Sequence, residues 1–387
     1  MVYDRVHPFR WSYSDTIMKQ FGIIIGIFFA IAVLVIVVLP FFLGYSPGGP
    51  GTNDGSSDGP APADRPKSSV GIFRSGNGGR DWEEKNTSEG DDIAKYQILH
   101  FAIHPFSSSV IFAGMKSGGL WRTENNGDSW QKIQDPNGAL RGDSSVYRVI
   151  FNTNNPQEVY LAVFQQNRGR VLKSEDRGSS FREVYQTPVE RFGVFDGFVD
   201  ASGVLYIVTG QGGFFSSHDG GDSWRVVRWF RDGIVRLVVD PRNESRLFVF
   251  TEKGSIFRSE DKGGFWVDMT DALSQFEGAL KYQKLLIDPA DSTLYLASAY
   301  GLLTSIDGGN HWVAPSLIIP PEALPILAVA RSPFDEQMLY LAASTQLYAS
   351  SDRGISWSVI SSPTGARIVD MVPDPQSRDV FFAVLAK

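Results

Sequence analysis

Cysteine is absent from all 387 residues. That removes disulfides, thiolate nucleophiles, iron–sulfur clusters and cysteine-based zinc sites, and it leaves the redox compartment open. Basic residues are outnumbered: 36 Lys and Arg face 43 Asp and Glu, for a formal charge of -7. A general nucleic-acid binder concentrates positive charge on one face, so nucleic acid is not an expected partner. Histidine is scarce, and His7, His100, His104, His218 and His311 show no metal-ligand spacing. No Gly-rich loop lies between a strand and a helix, so no nucleotide or other cofactor is indicated. Past residue 43 there is no helical periodicity of useful length. What the chain has in quantity is glycine, 39 residues, and large rings, with 27 Phe and 9 Trp.

The one long uncharged run is Phe21–Leu43, 23 residues of which 18 are Ile, Val, Leu or Phe. As a helix it would be about 34 Å long, enough to cross a hydrocarbon core of ~30 Å. A cleaved signal peptide is the rival reading, but its apolar stretch normally runs to only about 7–15 residues and ends in small side chains. Arg5, Arg10 and Lys19 precede the run, and Asp54, Asp58 and Asp64 follow it before the next basic residue, Arg65. The positive-inside bias then places residues 1–20 in the cytoplasm, residues 21–43 in the inner membrane of a bacterial cell, and the remainder outside it. Residues 44–69 are rich in Gly, Pro and Ser and cannot bury enough apolar surface to fold, so they read as a tether.

From residue 70 onward one phrase recurs seven times. Its elements are Ser75, Asn77, Gly79 and Trp82; Thr123, Asn125, Gly127 and Trp130; then Ser174, Asp176, Gly178 and Phe181. Ser217, Asp219, Gly221 and Trp224 follow, and after them Ser259, Asp261, Gly263 and Trp266. Ser305, Asp307, Gly309 and Trp312, and finally Ser350, Asp352, Gly354 and Trp357, complete the series. Steps between the final aromatics are 48, 51, 43, 42, 46 and 45 residues, the period of a repeat architecture. Each unit carries two apolar runs about a Pro-type turn, a short third run entering the phrase and a fourth leaving it. Four strands per unit at this period predict an all-β, seven-bladed propeller over residues 70–387. Gly at the fifth place supplies positive φ, the hydroxyl and carboxylate bond to the turn's own N–H groups, and the ring packs beneath.

The first phrase lacks preceding strands, and the chain ends with two strands that lack a phrase. Residues 70–84 should therefore supply the outer pair of one blade and residues 367–386 its inner pair, closing the ring.

These repeats resemble the Asp-box, or bacterial neuraminidase repeat, found in sialidases, xyloglucan hydrolases, sortilin-type receptors and photosystem II assembly factors. The sialidase group implies an Arg-Ile-Pro type motif near the first blade, and this chain has "GIFRSGNGGRDW" there. The xyloglucanase group implies substrate held between two propellers, and there is room for one. The sortilin group implies ten blades and a Cys-rich tail. The assembly-factor group implies a single seven-bladed propeller with a binding role, and it matches best.

Glycoside hydrolysis needs two facing carboxylates about 5–10 Å apart, and no pair is marked in the sequence. The expectation is therefore a membrane-anchored scaffold that binds another protein or a membrane complex and is not an enzyme, with no cofactor. A cell-surface glycoside hydrolase or glycan-binding propeller is the alternative. The seven phrases fall on one face, so a partner belongs on the other, where links join the blades. Arg141, Tyr147, Arg148, Arg191, Phe192, Trp229 and Arg231 are the candidate partner-binding residues, being Arg and aromatics in or beside those links.

Overall fold

The computed structural model describes residues 69–88, 92–319 and 325–386. The expected span over residues 21–43 and most of the tether lie outside them. Among the described residues no helix is long and apolar enough to cross a membrane.

The described residues form one compact unit of seven small antiparallel sheets. Six have four strands in simple meander order. In the fifth blade, residues 284–313, three strands are regular, and a single bridge between Thr304 and Val313 stands in for the fourth. The first strand of each blade contacts the first strands of the blades on either side all the way round, so these strands form the inner wall of a closed ring.

Closure follows the sequence expectation. Arg367–Pro373 and Phe381–Ala386 form the inner pair of the seventh blade, and Gly71–Ser75 and Glu83–Glu84 the outer pair. The first and last strands of the propeller meet in a ladder of five residue pairs, from Gly71 opposite Leu385 to Ser75 opposite Phe381.

Both faces of each blade are covered, which explains runs such as Ile72 and Phe73 in which consecutive residues are fully buried. The buried side chains divide into seven apolar layers, one at each blade junction. Ile150, Tyr160 and Val171 of the second blade pack on Leu205, Ile207 and Phe215 of the third, for example. Phe101, Ile111 and Trp130 of the first pack on Ile72, Phe382 and Val384 of the seventh. Each large side chain so buried contributes about 1.5–3 kcal/mol.

The recurring turn is the same in all seven copies. The hydroxyl of its first residue accepts the N–H of the fifth-place Gly at 2.7–3.1 Å, and donates to the Asp or Asn Oδ1 two residues on. That Oδ1 in turn accepts the N–H four residues further along, as from Ser223 to Asp219 at 2.8 Å. For Asp352 the Ser356 hydroxyl and N–H, then Ser350, hold the carboxyl down at about 2.

Two features go beyond the sequence reading. The fourth place also has positive φ, and besides Gly it takes Asn126, Arg177, Lys262 and Arg353, with φ of 57–60°. The indole also reaches beyond its own turn: Trp82, Trp130 and Trp224 donate to Ser361, Lys85 and Val184 carbonyls of the preceding blade.

Candidate functional site

Six of the seven inner strands carry a β-bulge at the same place. The register slips between Ile98 and His100, Val146 and Arg148, Val194 and Asp196, Ile234 and Arg236, Ile326 and Ala328, and Ile368 and Asp370. A bulge adds an unpaired residue and re-aims side chains. Repeated round a ring, it turns two residues toward the axis in five of these blades and Leu327 alone in the sixth. They line a cavity of about 720 Å³ at the mouth where the inter-blade links enter. The bulged residues Leu99, Tyr147, Phe195, Val235, Leu327 and Val369 make an apolar ring. Tyr147 and Phe195 meet edge to face, with centroids 4.9 Å apart.

The next residue is polar or charged in five of the six bulged strands, His100, Arg148, Asp196, Arg236 and Asp370, and is Ala328 in the sixth blade; the unbulged fifth blade supplies the equivalent Lys284. Arg148 Nε lies 3.0 Å from Asp196 Oδ1, and Asp196 also accepts the Leu237 and Gly197 N–H groups. Lys284 pairs with Asp370. Arg236 and Arg367, both on the cavity wall, have no carboxylate partner among the described residues. Within a chain of net charge -7, the mouth therefore holds an excess of two positive charges.

Burial holds the His100 imidazole well below its ordinary pKa, and Arg148, Arg236 and Lys284 push in the same direction. Its Nδ1 accepts the Val149 N–H at 3.1 Å, which leaves the proton of the neutral ring on Nε2. Nε2 lies 3.0 Å from Arg148 Nη1. Two donors thus face the same space, an arrangement that an acceptor atom of a ligand would relieve.

Of the sequence candidates, Tyr147 and Arg148 line this cavity; both belong to the inner strand Ser145–Phe151 rather than to the link before it. Arg141 pairs with Asp143 in that link. Arg191, Phe192 and Arg231 lie in the links that follow the second and third blades, and Trp229 ends the outer strand Arg225–Trp229. None of these five lines the cavity. Sequence reasoning missed His100, Phe195, Asp196, Arg236, Lys284 and Asp370. The signal was available as a polar residue at one repeat position inside otherwise apolar inner strands. Among the described residues no group of three or more His, Asp or Glu could hold a metal ion.

The family described as Sortilin, neurotensin receptor 3, matches residues 71–200. An oligoxyloglucan-reducing end-specific xyloglucanase of Emericella nidulans is 27% identical over 223 residues, covering 50% of this chain and 26% of its own length. The chain thus spans about a quarter of that relative. Among solved structures, the GH74 xyloglucanase from Xanthomonas campestris has a TM-score of 0.59 at 20% identity, over 75% of this chain and 51% of that one. YCF48 bound to D1 peptide has a TM-score of 0.57 at 15% identity, over 76% of this chain and 93% of that one. Together with the seven sheets of the ring, these likenesses define the class of fold: an all-β, seven-bladed propeller.

The comparisons also correct one expectation. The sequence marks no carboxylate pair and so predicts no enzyme, yet a curated relative matched over half of this chain is a xyloglucanase, which overturns that expectation. Asp196 and Asp370, 174 positions apart in the chain, line the same cavity, and no local spacing in the sequence marks carboxylates brought together in this way.

Proposed function

We propose that the channel mouth binds an acidic polypeptide segment and that the protein acts as a binding scaffold, tethered to a membrane through residues 21–43. The observation that carries this reading is the pair of uncompensated cations, Arg236 and Arg367, set among apolar and aromatic walls in a cavity of about 720 Å³. Such walls favour side chains, and such cations favour carboxylates. Size agrees: the propeller matches nearly all of YCF48, whose structure holds a peptide, and half of the xyloglucanase. The test is fluorescence anisotropy with the full chain, an acidic peptide and its amide-substituted counterpart. Arg236→Gln should weaken the acidic peptide by about 10-fold or more, the usual worth of a charge-assisted hydrogen bond. Equal affinity for the two peptides would end the proposal.

A second reading is favoured by the xyloglucanase relative together with the two carboxylates of the mouth. In it Asp196 and Asp370 act on a glycan stacked on Tyr147 and Phe195. Release of reducing sugar from xyloglucan oligosaccharides, abolished by either Asp→Asn change, would select it.

A further inference from the structure

On the face opposite the channel mouth, each inner strand ends in a buried polar residue at one repeat position: His104, Asn152, Asp200, Asp240, Asp288, Ser332 and Asp374. Four are carboxylates. They sit where one blade meets the recurring turn of the next, and the fourth place of that turn can supply a cation. At the third–fourth junction Lys262 reaches across to Asp200 at 2.6 Å. At the fifth–sixth junction Arg353 reaches Asp291, in the turn that Asp288 begins, at 2.9 Å. Both cations hold a positive φ of 59° that a long side chain adopts at a cost.

The first–second junction departs from this rule. Arg177 has the same place and the same positive φ, 60°, but the preceding blade offers His104 instead of a carboxylate. Arg177 has no side-chain hydrogen bond or ion pair among the described residues; only its backbone N–H and C=O are bonded. Nor can His104 take the acid's part. Its Nδ1 accepts the Phe106 N–H at 3.3 Å, and burial and Arg177 hold the ring below its ordinary pKa. Beside the two lies a cavity of about 220 Å³, walled by Phe106, Val110, Phe112 and Pro156.

We propose that this junction is a second binding site, independent of the channel mouth, for a small carboxylate with a ring-sized apolar body. The carboxylate enters beside His104 and pairs with Arg177, as Asp200 pairs with Lys262 at the third–fourth junction. The body enters the space between Phe106, Phe112 and Pro156. The volume sets the class: an apolar cavity of about 150 Å³ holds benzene, and drug-sized ligands need about 300 Å³ or more.

The molecule supplies its own control. His104→Asp restores the residue found at four other blades, so it should close the latch onto Arg177 from within. The experiment uses the full chain in detergent, with phenylacetate as probe and phenylacetamide as the uncharged control, read by saturation-transfer NMR and thermal shift. Phenylacetate should bind saturably at millimolar concentration, the range for so small a ligand, and phenylacetamide at least 10-fold more weakly. Arg177→Gln should abolish phenylacetate binding without raising the melting temperature. His104→Asp should abolish it and raise the melting temperature by about 2 °C. Absence of saturable binding, equal binding of acid and amide, or binding untouched by Arg177→Gln would each overturn the proposal. Should His104→Asp fail to fold, the Arg177→Gln comparison still decides it.

Discussion

The residue on which each recurring turn depends is its first, a hydroxyl with at most 2% exposure in every copy. It satisfies a buried Gly N–H as acceptor and braces the carboxylate as donor, so one small side chain closes two bonds that the sheet cannot make. Ser217→Ala removes both. The Gly221 N–H, 2.7 Å from Ser217 Oγ, is then buried without a partner. The expected loss is about 1–3 kcal/mol in urea unfolding, the desolvation cost of an orphaned donor. Thr123 already fills the place in the first blade, so Ser217→Thr should cost far less. Equal losses for Ala and Thr would show that the hydroxyl is not what the turn needs.

At the scale of the element, the final aromatic of the turn joins blade to blade. Trp130 is fully buried and donates its indole N–H to Lys85 of the preceding blade at 2.8 Å. Trp357 donates within its own turn, to Gly354 at 3.1 Å. Where the chain has Phe181 instead, the link before that blade compensates: Asp135 accepts the Phe181 N–H and Asn137 donates to its carbonyl. Trp130→Phe lacks such compensation and should cost about 2–4 kcal/mol, from the orphaned Lys85 carbonyl and the space left behind. Trp357→Phe should cost about half of that, because its longer indole bond closes only its own turn and no tie to the preceding blade is lost. Denaturant midpoints for the two variants check the order. The elements themselves were legible in the sequence because Ser, Gly and Trp at fixed spacing dictate a turn by local chemistry. The bulges were not, because a bulge inserts one residue without changing composition. The polar column His100, Arg148, Asp196, Arg236, Lys284 and Asp370 is readable only once the register of seven strands is known.

For the whole molecule, closure decides whether the seven apolar layers exist together. A propeller blade has neighbours on both sides, so one open junction leaves two blades with a bare apolar face and two unpaired strand edges. The ring is sealed by the first and last strands of the propeller, a match readable from the sequence as two incomplete units that complete one another. Phe382 shows what the seal carries: it is fully buried, packs on Phe101 of the first blade with centroids 5.2 Å apart, and sits in the strand paired with Gly71–Ser75. Phe382→Ala should therefore lower global stability by about 3–5 kcal/mol as a single cooperative transition, not by melting one blade. Removing residues 367–386 should go further, exposing Ile72 and Phe73 and abolishing cooperative unfolding altogether. A truncated chain that stays monomeric and melts in one sharp transition would mean that six blades hold their curvature without the seventh. The channel mouth, which draws Asp196 and Asp370 from opposite sides of the seal, would then owe its geometry to something other than closure.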